Sequence, residues 1–362
     1  MKIGFDAKRL FYNDTGLGNY ARTLIKNLQK FHPNHQYFLF TPGLRETEET
    51  KYFFDKSRFT IIQPKRKDFF WRQWGISREI NKLKLDIYHG LSHELPMRMP
   101  DKSTRCFVTV HDLIFEKFPH LYPWFDSKFY RIKYRRSAHL ADHIISISNS
   151  TSKDIQDIWK IDKSKISTIY QTCNPAISTI AKSSRIRKHF LYVGSVIRRK
   201  RLSDIILALS GLEEAKKKPL VVIGSGDSYL TEVEKLINKL KISKWVHFIG
   251  KKSNKELVRY YDEAIALIYP SEYEGFGIPI IEAAFRKIPV ITSTSSSMPE
   301  AGGPVSFYVE PGDIAQIKNY MDEISSNSDK IESRVNKTFQ YVSEHFDARL
   351  LSNQLMSTYQ QV

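Results

Sequence analysis

Pro270-Ser271-Glu272-Tyr273-Glu274-Gly275-Phe276-Gly277-Ile278-Pro279-Ile280-Ile281-Glu282 reads as a turn from a buried strand into a helix, with a carboxylate on each side. Leu267-Ile268-Tyr269 before it ends a strand, and Ile280, Ile281, Ala283, Ala284 and Phe285 supply an apolar helix. Gly275 and Gly277 let the backbone approach a ligand closely. Pro279 suits a first helical turn, where its missing N–H is not needed. A helix start preceded by glycines favours a bound phosphate. With Glu274 outside the loop and Glu282 inside the helix, the unit is suited to an anion in its middle and hydroxyl groups at its ends. Those are the parts of a nucleotide sugar.

Outward from this stretch, short apolar runs alternate with amphipathic ones. Expected strands are Lys2–Phe5, Tyr37–Thr41, Ile87–His89, Arg105–Val110, His143–Ser148, Ile166–Tyr170, Phe190–Val193, Leu220–Ile223, Val246–Ile249, Ala266–Tyr269 and Val290–Thr292. Between many of them lie helical patterns such as Asn19–Phe31, Asp204–Leu209, Leu230–Leu240 and Asn254–Glu263. Strands alternating with helices predict parallel sheets covered by helices, an α/β class. The polar, basic stretch Ser178–Lys188 breaks the pattern before a new strand begins. The expected organisation is a first domain over 1–178, a linker over 179–188, a second domain over 189–340, and a terminal helix over 341–362 returning to the first domain. Ligands of doubly wound domains bind at the carboxyl ends of the strands, so a cleft between the two domains is the expected site.

The 362 residues, 41% hydrophobic and 26% charged, fit two soluble domains. Two cysteines, Cys106 and Cys173, read as reduced core residues of a cytoplasmic protein. The start Met1–Asp6 reads as a strand and not as a signal peptide, and no apolar run is long enough for a bilayer. A formal charge of +17, from 56 basic and 39 acidic residues, implies an anionic partner.

Five further segments carry candidate chemistry. Thr15-Gly16-Leu17-Gly18-Asn19-Tyr20 follows the first strand and offers backbone N–H groups to an anion, or is a plain turn. His111-Asp112 follows the strand Arg105–Val110; His111 is suited to a sugar hydroxyl or a developing charge, or is a satisfied interior histidine. Arg198-Arg199-Lys200-Arg201 stands just past the second domain's first strand, where cations would stabilise a leaving diphosphate without a metal. Gly224-Ser225-Gly226-Asp227 and Ser295–Gly303 are weaker loops. No Asp-x-Asp pair and no zinc-spaced Cys/His cluster occurs, so no metal site is expected. Rings and cations interleave over Lys65–Trp74 and Trp124–Arg136, which suits an anionic membrane surface better than nucleic acid.

Together these segments resemble the family 4 retaining glycosyltransferases, closest to their mannosyltransferase-like members. Gly16-Leu17-Gly18-Asn19-Tyr20, Val110-His111-Asp112-Leu113, the serine-rich Ile145–Ser150, Gly194 with Arg199-Lys200, Glu274 to Glu282, and Pro299-Glu300 with Gly303 match the family's segments in order. Tyr170–Pro175 departs from the stretch many relatives carry there. The resemblance implies the GT-B fold, two Rossmann-like domains facing across a cleft. It implies His111, Glu274, Arg199 and Lys200 as the reacting set. It implies Gly16, Gly18, Gly194, Gly250, Phe276, Gly277, Ile278 and Glu282 around the donor, with Glu282 on the ribose. The expected activity is retaining, metal-independent transfer of a hexose from a nucleotide sugar, which is a substrate and not a cofactor. Mannose from a guanosine donor is favoured over a uridine-linked sugar. The acceptor is a lipid-linked or cell-surface glycan, reached from the inner face of the plasma membrane. A non-catalytic basic membrane or nucleic-acid adaptor is the alternative of another class.

Overall fold

Runs of β-branched and aromatic residues with no polar alternation form strands buried on both faces, as parallel sheets require. The computed structural model describes every residue except 66, 67, 69, 180–185, 327 and 328, and the side chains of 125–127. The first sheet holds β1 (Lys2–Asp6), β2 (Gln36–Phe40), β3 (Phe59–Ile62), β4 (Ile87–Gly90), β5 (Arg105–Val110), β6 (His143–Ser146) and β7 (Ile166–Thr168). The second holds β8 (His189–Val193), β9 (Leu220–Ile223), β10 (Val246–Gly250), β11 (Ala264–Tyr269), β12 (Val290–Ser293) and β13 (Phe307–Val309).

Every pairing is parallel, and the orders are β3-β2-β1-β4-β5-β6-β7 and β10-β9-β8-β11-β12-β13. In each sheet the winding reverses beside the first strand, between β1 and β4 and between β8 and β11. A crevice opens there at the carboxyl ends of the strands. These are two doubly wound Rossmann-like units of the GT-B class. Contacts divide the chain into Met1–Thr172 with Ala348–Val362, and Cys173–Asp347. Of the expected linker 179–188, residues 180–185 lie outside the described residues.

The tail expected as one helix is two. One helix runs Asp329–His345 in the second unit, and after Phe346-Asp347 another runs Ala348–Gln361 in the first. Tyr359 ties that last helix to the sheet. Its hydroxyl meets Nδ1 of His89 at 2.6 Å, and His89 Nε2 meets Thr109 Oγ1 at 2.8 Å. Tyr20 OH completes the buried chain on Thr109 at 3.0 Å. Burial pushes His89 down to about 3, so the ring is neutral and joins the network as one donor and one acceptor.

The second unit's core sets Phe190, Tyr192, Val222, Ile268 and Ile291 of the sheet against Ile205, Ile206 and Leu209 of the helix Leu202–Ser210. β3 and β13, absent from the sequence reading, are short strands beside β2 and β12. Phe59–Ile62 has a single fully buried residue, so its periodicity is faint.

Candidate active site

β8 and β11 are neighbours, so the loops leaving their carboxyl ends converge at the second unit's reversal point. After β8 the chain makes a short turn, Arg198–Lys200, and Arg201 follows with a left-handed backbone, φ 53°. That turn sorts four consecutive cations. Arg198 is exposed and pairs with Glu232 at 2.6 Å, and Arg201 pairs with Asp204 at 3.0 Å. Arg199 and Lys200 instead turn inward to one carboxylate oxygen. Arg199 Nη1 lies 2.8 Å and Lys200 Nζ 3.3 Å from Glu274 Oε1.

Glu274 is held by more than charge. Tyr269, the last residue of β11, donates to Oε1 at 3.1 Å and Ser271 donates at 2.8 Å. Lys200 Nζ reaches the Tyr269 hydroxyl at 2.6 Å and sits 4.9 Å from its ring centroid. Burial alone would raise the Glu274 carboxyl. Lys200 and Arg199 with the hydrogen bonds overcome it and hold the group at about 2. One carboxylate facing two cations leaves a local excess of one positive charge, which suits an anion.

The loop that carries Glu274 is fixed by serines that follow β12. Glu274 N–H donates to Ser296 Oγ at 2.9 Å, and Ser297 Oγ lies 2.8 Å from the carbonyls of both Glu274 and Phe276. Ser293 Oγ holds the Ser271 carbonyl in the same way. Gly277 then turns the chain with φ 125°, a region L side chains rarely adopt, and the helix Ile278–Phe285 starts with Pro279 in its first turn. Phe276 is buried, edge-on to Phe346 at 5.4 Å.

Glu282 lies one helical turn further on, 6% exposed, and accepts from Tyr261 OH at 2.7 Å. Burial raises its carboxyl to about 7 against the lowering effect of that hydrogen bond. The two glutamates of one motif therefore sit in opposite electrostatic settings, one firmly ionised and one near neutrality. Gly194 lies against Lys200, whereas Gly250 ends the edge strand β10, away from β8 and β11.

The remaining expected residues belong to the first unit. His111 follows β5, is 4% exposed, and its Nε2 donates to the Leu91 carbonyl at 2.8 Å. A carbonyl only accepts, so the proton is on Nε2. Burial first, then His93, pushes His111 down to about 3 and keeps it neutral. Tyr20 packs edge-on to it at 4.7 Å.

Gly16 and Gly18 correct the sequence reading: they form the first turn of the helix Gly16–Phe31 and not a loop before it. The Gly18 N–H donates to Asn13 Oδ1 at 3.0 Å, and a Cβ there would stand 1.7 Å from the Asn13 carbonyl oxygen. Packing against Asn13 accounts for Gly18, and its N–H is already engaged. Nothing lies within 4 Å of a Cβ on Gly16. Sequence reasoning missed Tyr269 and Tyr261, and took Ser295–Gly303 as a weak loop without the holding role of Ser296 and Ser297. A tyrosine closing an otherwise aliphatic strand, and the Ser293–Ser297 run, were the available signals.

Comparison with known proteins agrees with the fold. Residues 15–176 match Glycosyltransferase Family 4, and residues 177–340 match Glycosyl transferases group 1. O-antigen chain mannosyltransferase B of Escherichia coli is 25% identical over 346 residues, covering 89% of this chain and 90% of that protein. O-antigen chain mannosyltransferase RfbU of Salmonella typhimurium is 28% identical, covering 63% of each. Among solved structures, Anabaena HepE in complex with UDP and glucose superposes with a TM-score of 0.73 at 14% identity, covering 100% of this chain and 99% of that one. With both halves of the chain matched in succession and the same fold in each, the protein belongs to the family 4 glycosyltransferases.

Proposed function

We propose that the protein transfers a hexose, mannose from GDP-mannose, to a lipid-linked or cell-surface polysaccharide acceptor, with retention of configuration and without a metal. The observation that carries this reading is the convergence of Arg199 and Lys200 on Glu274 at the carboxyl ends of β8 and β11. A diphosphate entering there meets two preorganised cations, and charge developing on the leaving group is neutralised without an ion. The backbone of Phe276, Gly277 and Ile278 lines the approach to the diphosphate and the sugar. Glu282 accepts the ribose hydroxyls once ionised, Glu274 holds the cations and faces the transferred sugar, and His111, in the first unit, offers a neutral imidazole to a sugar hydroxyl. The two O-antigen mannosyltransferase relatives support mannose and a surface polysaccharide.

The acceptor side of the proposal includes an anionic membrane surface on the cytoplasmic face. Trp124, Phe129 and Ile132 are 65%, 58% and 63% exposed on the helix Trp124–Leu140, with Lys128 over the Trp124 ring. Rings at headgroup level with cations on lipid phosphate fit such a surface. Among the described residues no helix is long and apolar enough to cross a membrane.

The test is thermal stabilisation by a panel of guanosine and uridine nucleotide sugars, with Lys200→Ala beside the natural chain. Guanosine donors are expected to raise the melting temperature of the natural chain and to do so far less in the variant. Stabilisation by no nucleotide would defeat the reading, and stabilisation by uridine donors alone would replace the guanosine assignment.

A further inference from the structure

The first sheet reverses between β1 and β4, so it has its own crevice at those strands' carboxyl ends. β1 ends in Asp6, and β4 is followed by Ser92-His93-Glu94. Arg72 joins the two: its Nε reaches Asp6 Oδ2 at 2.8 Å and its Nη1 reaches Glu94 Oε2 at 2.7 Å. Lys133 Nζ meets the same Glu94 oxygen at 2.8 Å. No side chain of the four is more than 14% exposed. Burial opposes the Glu94 charge, but Arg72 and Lys133 prevail and keep the carboxyl below its ordinary value. A buried ion network is weak evidence for stability, because apolar residues of similar volume often stabilise such a position as well. The network is better explained as a rigid mount for Glu94 than as a source of stability.

His93 stands beside it in a strained backbone, φ 61°, uncommon for a residue with a Cβ. Its N–H is fixed on the Thr109 carbonyl at 2.8 Å, and its ring stacks on Tyr134 at 4.8 Å and lies 5.4 Å from His111. The side chain is 7% exposed, and Nδ1 has no hydrogen-bond partner among the described residues. Buried polar atoms almost always find partners, so Nδ1 is an acceptor or donor position open to an incoming hydroxyl.

We propose that His93 Nδ1 and the Glu94 carboxylate bind hydroxyl groups of a neutral sugar, the terminal residue of a glycan acceptor. A carboxylate only accepts, so its ligand must bring O–H donors, which a sugar has and a phosphate dianion lacks. A hydroxyl also serves an imidazole nitrogen in either tautomer. Arg72 and Lys133 are committed to carboxylates here, unlike the charge excess at Arg199 and Lys200. The inference rests on the transferase reading, since transfer needs a second substrate, but it concerns only the first unit.

The experiment is saturation-transfer NMR on the full chain with neutral oligosaccharides ending in mannose, glucose, galactose or N-acetylglucosamine, and with inorganic phosphate as competitor. Glu94→Gln and His93→Asn are compared with the natural chain; asparagine tolerates the left-handed backbone and leaves the ion network intact. At least one oligosaccharide is expected to bind, roughly tenfold more weakly in each variant, undisturbed by phosphate. Nucleotide stabilisation should be the same in all three proteins. No oligosaccharide binding where nucleotide still stabilises, unchanged binding in His93→Asn, or displacement by phosphate would overturn the proposal. Oligosaccharide binding without nucleotide stabilisation would leave it standing and count against the donor reading instead.

Discussion

Glu274→Gln removes the one carboxylate between Arg199 and Lys200 while keeping the shape of the side chain. The ordinary value of 4.5 falls to about 2 in the folded protein, which corresponds to about 3 kcal/mol of differential stabilisation. That agrees with the roughly 3–5 kcal/mol lost when one partner of a buried ion pair is removed. For a unit of this size each kcal/mol moves the transition by about 2–4 °C, so a fall of about 6–12 °C is expected at pH 7. The sign with pH follows from the direction of the shift. A lowered carboxyl contributes fully above 4.5 and loses its contribution as pH falls toward 2. The gap between the natural chain and the variant should therefore close over that interval. The same change releases two cations, so inorganic pyrophosphate should bind the variant about tenfold more tightly even though transfer is lost. Differential scanning calorimetry across pH, with and without pyrophosphate, measures both effects. A loss below about 1 kcal/mol with unchanged pyrophosphate affinity would refute the reasoning that Glu274 holds the cations in place.

Other consequences follow from neighbouring contacts. Glu282, raised to about 7, contributes stability that is complete below 4.5 and lost as pH rises through 7. Donor affinity should strengthen over the same rise as the carboxylate ionises, and both trends should vanish in Glu282→Gln when followed by calorimetry from pH 4 to 8. Ser297→Ala removes one buried hydroxyl donor from both the Glu274 and the Phe276 carbonyls. A cost of about 1–3 kcal/mol and a raised donor KM with a smaller change in kcat are expected in steady-state assays. The double change Trp124→Ser with Phe129→Ser should release the protein from vesicles of phosphatidylglycerol at low salt in a sedimentation assay. If both proteins stay in solution, or both stay bound, the proposed surface is wrong.

Much of the candidate site in the second unit was legible because it is local in sequence. Glu274 and Glu282 are eight residues apart across a single turn, and glycine, proline and an apolar helix mark that turn unaided. Strands buried on both faces announced themselves as unbroken apolar runs, so the class of fold followed. What stayed hidden depends on tertiary placement. Four adjacent cations are alike in sequence, and only the turn Arg198–Lys200 and the left-handed Arg201 send two of them to Glu274, one to the surface and one to Asp204. Tyr261 and Tyr269 looked like core residues because their rings are buried, yet their hydroxyls meet the two glutamates. Gly16 and Gly18 matched an anion loop by pattern, but the clash at Asn13 assigns Gly18 to helix packing. Asp6, Arg72, Glu94 and Lys133 come from distant segments, and no spacing rule would have gathered them.

The central claim is metal-independent sugar transfer from a nucleotide donor held by Arg199 and Lys200. Its most direct test is the release of nucleoside diphosphate from GDP-mannose by the full chain in the presence of an acceptor glycan, with and without a chelator. The account predicts release that is insensitive to the chelator and at least a hundredfold slower in Lys200→Ala, a loss of about 3 kcal/mol. Release that stops on chelation, or that proceeds unchanged in Lys200→Ala, would contradict it.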